Sequence, residues 1–354
     1  MQIDYQNFKI RIFRTTLKIT HQAHSHTRFH PTHTPHPKAS HPMPIPMPTP
    51  LITFIIPTYN TPPHLLHQCI ESILALDLFS TERQIILVDD GSTVPAITQV
   101  PPHIVPHITS IRLPQNQGLA AARNAAIPQA TGTYIQFIDA DDALLVHPYN
   151  ALLQQLRAPT PPDVLMFNHC HHLPRHPHTA YVQWSTPTTG THHLAHHSLQ
   201  AACWGYIFKR SIMGSLRFPQ GMLHEDEYFT PRLLLRAHTL ISTHTPLYYY
   251  RQRANSICHT TDRAHRMRKI ADKQKILIDL STQRWTADQL PAITRRLHQL
   301  AADLLYNVWT HTHSLQQLRL TAHTLGQHNL YPLPLKHYTP RYWAWALALK
   351  FLRV

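Results

Sequence analysis

From Leu51 to Asp142 the chain repeats one motif: a short apolar run fit for a buried strand, followed by a turn or a helix-forming stretch. "LITFII" stops at "PTYN" (Pro57 to Asn60), "QIILV" at "DDGS" (Asp89 to Ser92) and "TYIQFI" at "DADD" (Asp139 to Asp142), with "ITSIRL" from Ile108 as the third run in order. After the first run, Thr61 offers an N-cap and Pro62 the first helical position. Leu65, Leu66, Cys69, Ile70, Ile73 and Leu74 then fall on one helical face. An Ala-rich helix is expected from about Gly118. Strands alternating with helices predict an α/β fold, a mostly parallel central sheet flanked by helices. Ligands of such sheets bind beyond the carboxyl ends of the strands. The three polar words should therefore meet on one rim.

Past Asp142, "DVLMFN" reads as a further strand, "GMLHEDEYFTPRLLLRA" as a turn into a helix and "TLISTHTPLYYYRQ" as an extended segment. "THHLAHHSLQAACWGYIFKRSIM" mixes loop and helix, and three helix-like stretches follow from about Thr261. Residues 20–50 are dominated by His, Pro and Thr, too poor in large apolar side chains to offset ordering entropy, so residues 1–49 are expected to form a disordered leader. Translation starting at Met43 or Met47 would fit that reading.

Lys and Arg number 32 against 18 Asp and Glu, for a net charge of +14 and a pI near 9.8, which fits a nucleic acid, an anionic membrane or a phosphate-bearing substrate. The four cysteines form no C-x-x-C, which indicates a reducing, cytoplasmic location. No run of about 18 apolar residues predicts a spanning helix. The 32 histidines, "HCHH" at His169 to His172 included, are scattered and lack zinc-like spacing.

In so basic a chain, three carboxylates within "DADD" stand out. Along an extended strand Asp139 and Asp141 project to one side and Asp142 to the other. Two close carboxylates repel unless a cation sits by them, and magnesium or manganese suits oxygen ligands and substrate phosphates. The bland alternative is an acidic cap on the helix expected next. "DDGS" has a similar alternative, an ordinary strand-to-loop turn. Yet of only eight glycines, Gly91, Gly118 and Gly132 lie in or beside these words, which marks backbone necessity.

Taken in order, "LITFIIPTYN", "ILVDDGST", "NQGLAAARNAAI", "ATGTYIQFIDADD" and "HEDEYF" resemble the family 2 glycosyltransferases of the bacterial surface-polysaccharide type. These are inverting enzymes of the GT-A fold (Rossmann-like) that use nucleotide-sugar donors. The resemblance covers roughly Leu51 to Ser256. It implies a catalytic domain over residues 50–258, with 259–354 as a helical extension. It also implies that Pro57, Thr58, Tyr59 and Asn60 pack on the nucleobase and ribose, that Asp89 or Asp90 bonds the base, and that Asn116 and Arg123 hold the nucleotide. Asp139 and Asp141 match the D-x-D element, Asp141 for a divalent Mn or Mg and Asp139 for ribose or metal. Asp226 matches the catalytic base, with Glu225 beside it; at a helix start the dipole favours the ionised form. Arg251, Arg253 and Ser256 match a basic segment that closes over the diphosphate.

The implied partners are a nucleotide-sugar donor, first a UDP-sugar, and a glycan or lipid-linked glycan acceptor. Residues 143–211 match no word of the family, so the acceptor is unread. The C-terminal "YTPRYWAWALALKFLRV" suits a helix lying at the inner face of the plasma membrane, or one docked on the protein's own core. A non-catalytic glycan-binding module on the same scaffold is the main rival, though Asp139, Asp141 and Asp226 are all present. A nucleic-acid binder lacks a recognition motif and leaves the acids unexplained. A dinucleotide-binding enzyme lacks G-x-G-x-x-G.

Overall fold

The computed structural model describes residues 49–173, 181–252 and 262–352. The leader up to residue 48, with its expected disorder, and the segment holding Arg253 and Ser256 lie outside the described residues. Eight strands form one sheet: β1 (Ile52–Thr58), β2 (Arg83–Asp89), β3 (Ile108–Arg112), β4 (Tyr134–Phe137), β5 (Ala143–Leu144), β6 (Val164–Cys170), β7 (Tyr206–Lys209) and β8 (Leu240–Tyr249), in the order β3-β2-β1-β4-β7-β6-β8-β5. β1 pairs parallel with β2 and β4, β2 with β3, and β6 with β8. β7 runs antiparallel to β4 and β6, and β5 antiparallel to β8. Six strands therefore point the same way, and their carboxyl ends share the rim that carries the polar words.

Side-chain alternation puts Ile52, Phe54, Ile56, Ile85 and Leu87 on one face and Ile55, Ile86, Val88, Ile135 and Phe137 on the other. Helices α1 (Pro63–Leu74) and α3 (Val146–Leu156) cover the first face. On α1, Leu65, Leu66, Cys69, Ile70 and Ile73 are buried, each large aliphatic side chain contributing about 1.5–3 kcal/mol. The helix starts one residue later than expected, with Pro62 as N-cap, because the Thr61 hydroxyl instead accepts a hydrogen bond from Thr58 at 2.9 Å.

The second face is covered by α2 (Leu119–Ala126), α4 (Gly190–His196) and α6 (Glu225–Leu234), with the short α5 (Arg210–Met213) after β7. Helices α7 (Arg263–Thr282), α8 (Leu290–Thr312), α9 (Leu315–Gln327) and α10 (Pro340–Phe351) enclose a third core, and Ala292 and Ile293 of α8 extend into the second. On α10, Tyr342, Ala346 and Leu349 are buried in that core, while Trp343, Lys350 and Phe351 stay exposed. No helix among the described residues is long and apolar enough to cross a membrane.

Gly190 opens α4 against α6, where a Cβ would sit 1.8 Å from the Leu234 carbonyl oxygen. Gly190→Ala is expected to cost about 2 kcal/mol or more in urea denaturation. Gly205→Ala, whose methyl group meets only the Phe167 carbonyl at 4.0 Å, should stay within about 0.5 kcal/mol.

Candidate active site

Both "DDGS" carboxylates are buried and occupied by the protein. Asp89 accepts hydrogen bonds from the Ser92 and Ala96 amides at 2.8 and 2.9 Å and pairs with Arg112. Burial would raise its pKa, but these bonds and the guanidinium hold it below the usual value. Asp90 accepts from the Gln117 and Gly118 amides at 2.8 and 2.9 Å, tying this turn to the start of α2. Gly91 has φ +73°, and a Cβ there would meet the Gln115 and Asn116 backbone within 2.7 Å. The carboxylate oxygens of this word are therefore committed to the protein's own amides and to Arg112.

Asn60, at φ +49°, clasps the same turn: its amide donates to Ser92 Oγ and its side-chain oxygen accepts from the Thr93 amide, both at 2.9 Å. Pro57 and Thr58 are buried in β1, whereas the Tyr59 ring is 51 % exposed at the lip. Asn116 is exposed on the neighbouring loop.

β4 ends at Phe137, so "DADD" is not extended as expected. It forms a turn, with the Asp142 amide donating to the Asp139 carbonyl at 3.0 Å. Asp142 turns inward, accepting from the Tyr248 hydroxyl (2.8 Å) and the Arg251 amide (2.8 Å). The Tyr248 oxygen also accepts from the Asp139 amide at 3.1 Å. These acids cap no helix, because α3 starts at Val146 with Leu145 as its N-cap. Arg251 lies over the turn, its Nε donating to the Asp141 carbonyl at 2.9 Å and another guanidinium nitrogen to Gln68 at 2.7 Å.

The "HEDE" acids occupy the first turn of α6, entered through His224 in the left-handed region at φ +63°. Glu225 pairs with Arg123 at 2.5 Å, and the other arm of that guanidinium reaches Asp139 at 3.2 Å. Arg123 is 2 % exposed and also lies over the Phe137 and Phe218 rings. Burial alone would lower its pKa, but the surrounding carboxylates keep it charged. With both arms taken by carboxylates, Arg123 joins the D-x-D turn to α6, a positioning task that differs from the nucleotide contact expected of it.

The electrostatics of Asp226 also differ from expectation. The helix dipole favours its ionised form, yet burial, and then the charge of Glu225, push it up to about 7. Asp142 rises to about 8 through burial and the neighbouring Asp139. Asp139 is raised as well, burial outweighing the attraction of Arg123.

The charges of Asp139, Asp141, Asp142, Glu225 and Asp226 thus lie near enough to interact, with one guanidinium, Arg123, paired to two of them. Among the described residues no group of three or more His, Cys, Asp or Glu is arranged to hold a metal. Asp139 and Asp141, whose charges interact, are the pair that would hold an ion keeping its other positions for water and substrate phosphates.

Four contributors carry no sequence signal strong enough to single them out. Tyr248, hidden in "YYY", organises the acidic turn. Arg296 on α8 donates to Glu227 and, at 2.9 Å, to the Leu199 carbonyl; it falls on a buried stripe with Ile293 and Leu300. Asp272 on α7 accepts from the Leu223 amide at 2.9 Å, and Arg268 donates to the Gly221 carbonyl at 3.0 Å. Helix α7 therefore grips the loop that leads into α6, and α8 grips the first turn of α6 itself.

Residues 53–199 match the family profile "Glycosyl transferase family 2". The glycosyltransferase GlyG of Streptococcus pneumoniae serotype 4 is 28% identical over 227 residues, 59% of this chain and 73% of GlyG. GlyA of the same organism is 28% identical over 222 residues, covering 58% of this chain but 31% of GlyA. Among solved structures, S. aureus TarS 1-349 in complex with UDP-GlcNAc superposes with a TM-score of 0.58 at 18% identity, over 79% of this chain and 81% of TarS 1-349.

Replacing Arg123 by Met would leave the buried Glu225 and the partly buried Asp139 without their shared cation. A loss of about 3–5 kcal/mol in chemical denaturation is expected, partly restored by adding Glu225→Gln.

Proposed function

Because the chain belongs to the family 2 glycosyltransferases with the GT-A fold, we propose that it transfers a sugar from a nucleotide donor, in the first instance a UDP-sugar, to a hydroxyl of a glycan or lipid-linked glycan. The Arg123 bridge carries this reading, since it gathers the D-x-D turn and the "HEDE" carboxylates around one buried cation. A carboxyl raised by burial and by Glu225 beside that bridge suits a group that exchanges a proton near neutral pH.

In this reading Tyr59 offers its ring to the base at the lip, with Pro57, Thr58, Asn60 and Asn116 shaping the edge. Asp89 and Asp90 brace the wall beneath them. Asp226 accepts the proton of the acceptor hydroxyl as its oxygen attacks the anomeric carbon. The bond from that carbon to the diphosphate breaks, its electron pair leaving on the phosphate oxygen, and a single displacement of this kind inverts the anomeric centre. Glu225, committed to Arg123, positions its neighbour and does not take the proton itself. Arg251 stands over the turn where negative charge accumulates. Asp141 and Asp139 would hold a magnesium or manganese ion, which when bound neutralises charge on the leaving diphosphate.

The three described cysteines are free thiols, in keeping with a cytoplasmic setting. Peripheral attachment to the inner membrane face would use the outward Trp343, Lys350 and Phe351 of α10. Flotation with anionic liposomes is expected to weaken in a Trp343→Ser/Phe351→Ser variant, and equal flotation rules the contact out.

The catalytic reading is tested with two variants. Asp141→Ala should lose manganese-dependent UDP binding in calorimetry. Asp226→Asn should bind UDP normally while transfer falls about 10²–10⁴-fold. As the base must be ionised to act, wild-type kcat should rise with pH through about 7. Near-normal turnover by Asp226→Asn would move the base elsewhere.

A further inference from the structure

A cavity of about 600 Å³ opens beside the acidic turn, between the residues 185–188, the α4 region and the irregular middle of the β6–β8 pair. Its inner end is Trp204, which stacks on Tyr248 with ring centroids 4.7 Å apart. Tyr248 in turn donates to Asp142, so two stacked aromatic rings, Trp204 and Tyr248, lie between the cavity and the carboxylates. The segment forming the inner wall is held from behind by the same machinery: Thr230 of α6 donates to the Ala201 carbonyl at 2.6 Å and Arg296 to that of Leu199.

The lining is chemically unlike the rest of the chain. It presents hydroxyls such as Thr188 and Thr243, the amides of Asn168 and Gln200, and five imidazoles, and among the described residues it contains no Asp, Glu, Lys or Arg. In a protein of net charge +14, a cavity free of permanent charge is a local exception. Burial, and then neighbouring His197 and His192, hold His193 down to about 4, and burial also lowers His169, so these two rings are neutral at neutral pH. A phosphate-rich ligand would call for guanidinium or ammonium groups, and an acyl chain for aliphatic walls. Hydroxyls, amides and neutral imidazoles each donate and accept, which matches the dense two-way hydrogen bonding of sugar hydroxyls.

We propose that this cavity is a subsite for an uncharged stretch of the acceptor glycan, seating the sugars that lead to the reacting hydroxyl. The inference rests on the glycosyltransferase reading for the word acceptor, but its binding chemistry stands without turnover.

The experiment uses the full chain with neutral hexasaccharides of β-1,4-glucose, β-1,4-N-acetylglucosamine and α-linked mannose, set against glycerol-phosphate oligomers. Hydrogen exchange across residues 185–205 should slow with at least one neutral hexasaccharide at millimolar concentration and not with the phosphate oligomers. Gln200→Ala and His244→Ala lie on exposed positions of the lining and outside the catalytic constellation; each should weaken that protection or raise the glycan KM by about fivefold to tenfold. Hydrolysis of UDP-sugars to water, measured in parallel, should be unchanged in both variants. Protection by the phosphate oligomers alone, or by none of the probes, overturns the proposal. If neutral glycans bind but no UDP-sugar is hydrolysed by wild type, the subsite stands and the catalytic reading fails.

Discussion

The site depends on burying one guanidinium under the rim of the sheet. Arg123 pairs with Asp139 and Glu225 at once, and without it two segments far apart in the chain would bring like charges together with no cation between them. The neighbouring residues of α2 explain how it gets there. Ala120, Ala122 and Ala126 are small, so the helix axis lies close to β1 and β2 and the long arginine side chain reaches between the end of β4 and α6. A bulkier helix would stand further off and hold the cation short of its partners. Global charge and local charge thus have opposite signs: a strongly basic chain concentrates several of its few acids around one buried guanidinium.

Much of this is legible from the residues. The strand runs, the rim on which "PTYN", "DDGS" and "DADD" meet, and the glycine positions follow from periodicity and sterics, and the sheet preserves them. Two local rules fail for identifiable reasons. Alternation along a strand predicts a shared direction for Asp139 and Asp141, but the strand stops two residues earlier and a turn takes over. The dipole of α6 favours an ionised Asp226, yet burial and Glu225 outweigh a terminal dipole worth about 1 kcal/mol.

The second half of the sheet is less readable. β7 is only Tyr206–Lys209, four residues between β4 and β6 of which the first three are buried, too short to show any period that distinguishes it from helix. Asp89 and Asp90 illustrate a different limit. Their pattern singles them out, but a sequence does not reveal whether a carboxylate serves a ligand or the backbone, and here amides of Ser92, Ala96, Gln117 and Gly118 take the oxygens. Arg296 and Asp272 are invisible because their partners lie 69 and 49 positions away along the chain.

That last pair of contacts has an implication for how such chains diversify. Every word by which the chain resembles its relatives precedes residue 257, yet the turn that presents Asp226 is steadied from α7 and α8. Tail and head are consequently not interchangeable parts. A chimaera that grafts another relative's helices after β8 would inherit an intact set of motifs on a turn whose tension had been reset, and tuning of turnover in this lineage can proceed through substitutions that never touch a sugar or a nucleotide.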